Sequence, residues 1–310
     1  MDKSLYSTIS VVIPTFNRKN ILGKCLEAYF QQTYPKEKIE ILIADDGSTD
    51  ATEHYITEIQ KKSPIRIRYL KQENTGVTFA RNLGIKNSQN QIILLSDDDI
   101  IPVSNLIEEH LRWHNLYPGG QDAILGYVTW SPEIEIDDFM RWCENGGPLQ
   151  QYHLIENRCQ VDCRFFYSGN ISLKSDLLKQ NLFDEKFYFG FDDFELGYRL
   201  SQKGLKIYYN KAALGYHYKK FTYAEMEKRN QKLGPEAWVL HQKWPRTKQI
   251  VRVRNIWMLR MSKIATGLFY PLANLLNWKK VIYHHKYQNR LSQIFALSYK
   301  QAQAKNIKVS

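Results

Sequence analysis

The run QIILLSDDDIIP, residues 91–102, ends an apolar segment in three adjacent carboxylates, Asp97, Asp98 and Asp99. Like charges held that close repel unless something cationic compensates them. In an extended segment residues i and i+2 project to one side, so the spacing predicts that Asp97 and Asp99 converge at a solvent-exposed strand end while Asp98 points away. Two converging carboxylates suit a hard divalent cation. Mg2+ or Mn2+ takes one or two protein carboxylates and fills its other positions with water and phosphate oxygens. A metal-bound diphosphate is the chemistry implied; the plainer alternative is a solvated turn carrying three surface acids.

The elements that must hold these residues read as alternating strands and helices. Ile9 to Ile13 is a short β-branched run, Ile21 to Phe30 is apolar at helical spacing, and Ile39 to Ala44 is apolar again. Ser48-Thr49-Asp50 can cap a helix over 51–62; 65–70 alternates like a half-buried strand, 77–88 is helical and 91–96 is a strand. This pattern predicts an α/β fold with a doubly wound, mostly parallel sheet. Ligands of such sheets sit beyond the carboxyl ends of the strands. Those ends carry Pro14-Thr15-Phe16-Asn17, Asp45-Asp46-Gly47-Ser48 and the three aspartates. Farther on, 123–129 and 161–167 read as strands, 175–181 and 192–203 as helices, and 206–217 as a strand.

Among 310 residues, 43% hydrophobic and 13% aromatic content supports packed interiors, and a mean hydropathy of -0.48 argues against a channel or transporter. The first residues lack the apolar core of a signal peptide, which predicts a cytoplasmic protein. Cys159 and Cys163 alternate with Val161 and Phe165, predicting buried free thiols on one strand face, and no CxxC pair supports a zinc site. The net charge of +11 is uneven: residues 1–218 hold 24 Lys+Arg against 29 Asp+Glu, and residues 219–310 hold 19 against 3. A polyanionic partner follows, and with no nucleic-acid motif present we read an anionic membrane surface rather than nucleic acid. Residues 250–300 interleave cations, among them Arg254, Arg260, Lys263, Lys279 and Lys280, with Trp257, Leu268, Phe269 and Trp278. The apolar stretch Ile264 to Leu276 has 13 residues and contains Pro271, short of the roughly 20 a spanning helix needs. Helices lying at the membrane surface are expected; the alternative is an extension that packs its aromatics against the rest of the chain.

From Val11 to His217 the chain resembles the family 2 inverting glycosyltransferases of the GT-A fold. SVVIPTFNR is similar to the family's first strand and loop, IEILIADDGSTDAT to its nucleotide-binding Asp pair, NTGVTFARNLGI to its N-x-G-x-x-x-A-R-N-x-G element and ILLSDDDIIP to its D-x-D strand. SGNISLKSDLLKQNLFDEKF and GFDDFELGYRLSQKG match its G-N segment and its E-D-x-E-L helix. The resemblance implies a GT-A catalytic domain over 1–218, with a nucleotide-sugar half 1–102 and an acceptor half 103–218, followed by a basic helical region 219–310. It implies metal-dependent inverting transfer from a nucleotide-diphosphate sugar, a UDP-sugar by default, to a glycan or lipid-linked acceptor in polysaccharide or glycolipid synthesis. The protein is then expected in the cytoplasm, peripheral at the inner face of the cell membrane.

Residue by residue, the implied nucleotide-sugar site is Pro14, Thr15, Asn17, Asp45, Asp46, Arg81, Asp97 and Asp98. Asp45 or Asp46 can accept from a base or ribose, or can simply close an Asx turn. Arg81 can fork onto phosphate or serve a structural ion pair. Gly76 and Gly84 read as turn and packing residues. The metal set is Asp97, Asp99 and His217, with Mn2+ or Mg2+ as the ion; neutral imidazole favours Mn2+. A sugar hydroxyl needs a base, which falls on Asp193, with Asp192 standing where the family has Glu and Glu195 as a third carboxylate that orients the acceptor or shares the network. All three also suit the first turn of a helix. Trp130, Trp142 and Tyr152 read as core aromatics before a sugar platform. Two rivals stand beside this reading: a nucleotidyltransferase acting on sugar phosphates, whose Gly-rich loop IPTFNRKN lacks, and a non-catalytic nucleotide-sugar-binding protein.

Overall fold

A computed structural model describes residues 6–147 and 149–306, so the first five residues, Pro148, residues 307–310 and the Lys280 side chain of the basic tail lie outside the described set. In chain order the elements are β1 Ile9–Thr15, α1 Lys19–Phe30, β2 Ile39–Asp45, α2 Thr52–Gln60, β3 Arg66–Lys71, α3 Val77–Asn87, β4 Ile92–Ser96 and β5 Ile100–Pro102. There follow α4 Leu106–Leu116, β6 Asp122–Trp130, α5 Asp138–Glu144, β7 Gln160–Val161, β8 Asn170–Lys174, α6 Ser175–Lys179, α7 Asp192–Ser201 and β9 Lys206–His217. The last helices are α8 Tyr223–Lys243, α9 Ile256–Leu275, α10 Lys279–Tyr283 and α11 Asn289–Ala304.

The strands form one sheet in the order β3-β2-β1-β4-β8-β6-β9-β5, with β7 added on β9. β3, β2, β1 and β4 are mutually parallel; β8 runs antiparallel to β4 and β6, β9 is parallel to β6, and β5 returns antiparallel along β9. β1, β2 and β4 are buried along their whole length, which is why they read as continuous apolar runs rather than alternating ones. Alternate residues feed two cores. Ile9, Val11, Ile13 and Ile41 pack with Leu22, Leu26, Ile56 and Leu111 from α1, α2 and α4. Val12, Leu42, Ile93 and Leu95 pack with Ile85 of α3 and Leu196 and Leu200 of α7. The helix starts are tied together by Asp50, which accepts from the Lys19 amide at 3.0 Å and the Thr52 amide at 3.3 Å.

The strand expected over 161–167 is not formed. Asp162 accepts the Arg164 amide at 2.9 Å and turns the chain into a 3-10 helix over Cys163–Phe165, leaving β7 two residues long. Cys163 is therefore buried but Cys159 is exposed, against the expectation that both thiols are buried; all four cysteines are free.

The chain divides into two compact units. The first holds 1–135, 150–188 and 192–219, and with them the whole sheet. The second holds 136–149, 189–191 and 220–310, so it draws on three stretches rather than on the C-terminal one alone. Residues 189–191 belong to it because Glu236 on α8 accepts their three backbone amides at 2.8 to 3.1 Å. α8 opens on a capping box formed by Thr222 and Glu225, and Trp238, Tyr299, Ala237 and Ala302 make the unit's apolar centre. Trp142 packs on Phe139 and Tyr287 within this unit, while Trp130 and Tyr152 lie buried in the first. No helix among the described residues is long and apolar enough to cross a membrane.

Candidate active site

Asp97 to Ile100 is a turn, closed by the Ile100 amide donating to the Asp97 carbonyl at 3.2 Å. The alternation of an extended strand therefore fails here, and the expected convergence of Asp97 with Asp99 is replaced by a different pairing. Asp98 and Asp99 together face Arg18, whose Nη1 and Nη2 donate to Asp98 Oδ1 at 2.7 Å and Asp99 Oδ2 at 2.6 Å. Thr15 Oγ1 donates to the other Asp98 oxygen at 2.7 Å. Asp97 instead accepts from Arg81 Nη2 at 3.0 Å. Two arginines answer the charge repulsion, and Asp98 and Asp99 are buried rather than exposed as expected at a strand end. Burial and the neighbouring Asp99 lift the Asp98 carboxyl to about 7 despite Arg18. At Asp99 burial acts in the same direction, but hydrogen bonding to His217 and the charge of Arg18 outweigh it and hold the carboxyl below its ordinary range.

Arg81, on α3, also donates from Nη1 to Asp192 Oδ2 at 2.6 Å. It is buried, and its fork is occupied by two carboxylates rather than open to a phosphate. Its neighbours on α3 grip the chain leading to α7: Thr78 Oγ1 donates to the Phe187 carbonyl at 2.7 Å, and Asn82 exchanges hydrogen bonds with the Phe183 backbone at 3.0 and 2.9 Å. Asp193 is thus set beside a locked Asp192. Its Oδ2 accepts the Ser168 amide at 2.9 Å, and its buried Oδ1 has no hydrogen-bond partner among the described residues. Burial, with Asp192 adjacent, raises the Asp193 carboxyl to about 7, against Arg81 and the Ser168 amide. Gly169, next to Ser168, lies so close to Asp97 that an added Cβ would meet its Oδ2 at 3.2 Å. The loop 168–169 thereby brings the edge of β4 and the start of α7 to one place. Glu195 corrects an expectation: it is fully buried and held by Arg199 Nε and Nη2, both at 3.1 Å, so it has no surface to offer an acceptor.

At the carboxyl end of β2, Asp45 accepts the Ser48 amide at 2.7 Å on one oxygen and the Tyr69 hydroxyl on the other. With no exposed surface, it closes an Asx turn, and the direct contact to a base or ribose expected of it is not supported. Asp46 accepts the Thr75 and Gly76 amides, each at 2.9 Å, and Gln72 Nε2 at 2.8 Å. That staple holds Gly76 at φ +120°, a backbone suited to glycine. Asn17, at φ +52°, accepts the Thr49 amide at 2.7 Å and joins the loop after β1 to the loop after β2. Pro14 and Thr15 are buried at the end of β1, and Phe16 between them and Asn17 exposes its ring at the same edge.

The donor set fits a small divalent ion at two ligands. Asp99 Oδ1 and His217 Nε2 stand 3.4 Å apart, the spacing of neighbouring donors on one ion, and His217 is oriented by stacking on Trp130 at 5.4 Å between ring centres. Asp97 is turned to Arg81 instead. No group of three or more His, Cys, Asp or Glu side chains shaped for a metal occurs among the described residues. The sequence reading did not single out Arg18 or Ser168; Arg18 follows the quoted PTFN loop directly, which was the available signal for a cation beside the aspartates.

Residues 10–123 match the family model described as Glycosyl transferase family 2. Over 222 residues the chain is 31% identical to a dolichyl N-acetyl-alpha-D-glucosaminyl phosphate 3-beta-D-2,3-diacetamido-2,3-dideoxy-beta-D-glucuronosyltransferase of Methanococcus voltae, covering 68% of this chain and 66% of that protein. It is 28% identical to a validoxylamine A glucosyltransferase of Streptomyces hygroscopicus subsp. limoneus over 67% of this chain and 51% of the relative. An Escherichia coli chondroitin synthase is 27% identical over 67% of this chain and 34% of its own length. The chain thus spans about two thirds of such relatives or less. Among solved structures, the mannosyltransferase PcManGT of Pyrobaculum calidifontis, in complex with GDP-Man and Mn2+, superposes with a TM-score of 0.65 at 18% identity, covering 98% of this chain and 90% of that one. S. aureus TarS with UDP gives 0.55 at 16% identity, covering 96% and 92%.

Proposed function

The chain belongs to glycosyl transferase family 2, a family of sugar-transferring enzymes, and has the GT-A fold; on that premise we propose that it catalyses inverting transfer from a nucleotide-diphosphate sugar to a hydroxyl of a glycan or lipid-linked acceptor. The observation that carries this reading is the unpartnered, buried Oδ1 of Asp193, on a carboxyl raised to about 7. A base poised near neutrality is what a hydroxyl nucleophile needs. As the acceptor oxygen forms its bond to the anomeric carbon, Oδ1 takes the hydroxyl proton and the bond to the diphosphate oxygen breaks on the opposite face, so configuration inverts in one step. Asp192, held on Arg81 at 2.6 Å, serves to orient the start of α7.

Mn2+ or Mg2+, held by Asp99 and His217, would supply charge neutralisation for the departing diphosphate. The Arg18 guanidinium, on the other face of Asp99, adds positive potential at the same edge. Thr15, Phe16 and Asn17 line the place for the base, with the Phe16 ring exposed for stacking. The names of structural neighbours that hold GDP-Man with Mn2+ or UDP support a nucleotide-diphosphate donor, and we take UDP-sugars first. The Methanococcus relative, named for a dolichyl-phosphate-linked substrate, supports a lipid-linked acceptor. Cell-surface polysaccharide or glycolipid synthesis at the cytoplasmic face of the membrane is the corresponding setting. The test is hydrolysis and transfer with a panel of UDP-, GDP- and dTDP-sugars, with Mn2+, with Mg2+ and with EDTA. One donor should be turned over only with metal; full activity in EDTA would remove the metal from the reading, and no turnover or thermal stabilisation by any donor would remove the transferase.

A further inference from the structure

In the second unit α9 turns most of its large apolar residues outward. Its inward side holds the buried Leu259 and otherwise mostly small or polar contacts: Ser262 Oγ bonds with His284 Nε2 at 3.1 Å, Thr266 Oγ1 bonds with His285 Nδ1 at 3.2 Å, Asn289 Nδ2 donates to Thr266 Oγ1 at 3.4 Å, and Tyr270 packs on the His285 ring. Gly267 packs by the His285 ring, and Ala273 is buried. Its outward side is a stripe of large apolar residues, Trp257, Met261, Ile264, Leu268, Leu272 and Leu275, spaced by three and four and therefore on one helix face. Leu275 is 81% exposed, Leu268 77% and Trp257 68%. A helix of a water-soluble surface shows the reverse order. An apolar stripe about 30 Å long, at 1.5 Å per residue, far exceeds the scattered apolar residues a soluble surface ordinarily shows.

Charge decides what covers it. No Asp or Glu occurs after Glu236, while residues 237–310 carry 14 Lys+Arg. Arg254, Arg260, Lys263 and Lys279 are exposed within or beside the helix. A second copy seated on this stripe would bring like charges together, whereas anionic headgroups complement them. Arg260, Lys263 and Pro271 inside the helix, together with the Ser262 and Thr266 hydrogen bonds on its inward side, fit a helix lying in the surface plane rather than across the bilayer.

We propose that α9 is an in-plane membrane anchor whose Trp257-to-Leu275 stripe enters the headgroup and acyl boundary of an anionic lipid surface. The anchor is independent of which sugar is transferred. The full chain is sedimented with vesicles of phosphatidylcholine alone or mixed with phosphatidylglycerol, at low and high salt, beside Leu268→Asp/Leu272→Asp and Arg260→Glu/Lys263→Glu variants. These residues are exposed, so circular dichroism and thermal unfolding of both variants should match the parent. The parent should bind anionic vesicles at least roughly tenfold better than neutral ones, less so at high salt, and each variant should lose roughly tenfold or more. Absence of binding to anionic vesicles, or binding that both variants retain, overturns the anchor. A concentration-dependent dimer that Leu268→Asp/Leu272→Asp dissolves, without vesicle binding, assigns the stripe to a second copy instead.

Discussion

Two adjacent aspartates, Asp192 and Asp193, differ in what their oxygens meet. Asp192 is paired with Arg81 at 2.6 Å, and Asp193 keeps one buried oxygen without a partner. Asp193→Asn should lower kcat by about 10² to 10⁴, the usual worth of a positioned base, with donor affinity nearly unchanged. In the parent, kcat/KM should rise with pH up to about 7 and level off, because the base works deprotonated. The linkage has the opposite sign for stability. A carboxyl whose pKa is raised on folding contributes stability below its unfolded pKa near 4, and that contribution is lost as pH rises through about 7. The variant should therefore be more stable than the parent at pH 8 and show no such advantage at pH 4, measured by urea midpoints. For Asp99 the structure changes the expectation. It is buried on Arg18 and His217, so Asp99→Asn should lose metal-dependent donor binding and also some stability, since half of the Arg18 fork loses its charge partner. A variant that binds donor with Mn2+ as well as the parent does would remove Asp99 from the metal site.

At the scale of elements, α3 is the part that joins the carboxyl edge of the sheet to the start of α7, through Thr78, Arg81 and Asn82. Its approach to β1 depends on Gly84, where an added Cβ would overlap Val12 Cγ1 of that buried strand. Gly84→Ala should cost about 1 to 3 kcal/mol through overpacking, seen as a lower urea midpoint at unchanged slope. Because the clash has one main partner, Val12→Ala introduced with it should recover part of the loss, a coupling a double-mutant cycle reads directly. Additive losses would show that α3 is displaced as a whole.

Across the whole molecule, the sheet's middle carries a buried polar chain. Ser172 Oγ bonds with His110 Nδ1 and His114 Nε2, both at 2.8 Å; Lys174 Nζ bonds with His114 Nδ1 at 2.9 Å, and Asn170 Oδ1 with His110 Nε2 at 2.9 Å. Burial lowers His110 to about 4 against the Asn170 bond, and lowers His114 as well, helped by the Lys174 charge. A histidine kept neutral on folding contributes stability above its unfolded pKa near 6.5, and that contribution fades as pH falls toward 4. The stability gap between the parent and His110→Asn should accordingly be widest above pH 6.5 and narrow on acidification. A gap that does not change with pH would mean that folding leaves the His110 pKa where it stands in the unfolded chain, and a gap that widens on acidification would mean that His110 is protonated in the fold.

The order of strands and helices through residue 100 was legible in the chain because β1, β2 and β4 are covered on both faces and their apolar runs have no competing period. The strand ends that collect Thr15, Asp46 and the three aspartates were legible for the same reason, since parallel strands with crossover helices put those ends on one edge. What only the tertiary structure decided is which charge meets which. Asp97 and Asp99 diverge because the segment turns, Arg18 comes from 80 residues away to Asp98, and Asp192 lies 111 residues from Arg81. Local spacing fixes the direction of a side chain only within a regular element; at a turn, and between distant segments, packing of the two cores selects the partner. Glu195 and Arg199 show the local case, one helical turn apart, and Asp193 Oδ1 the distant one, left unpaired by the placement of its neighbours.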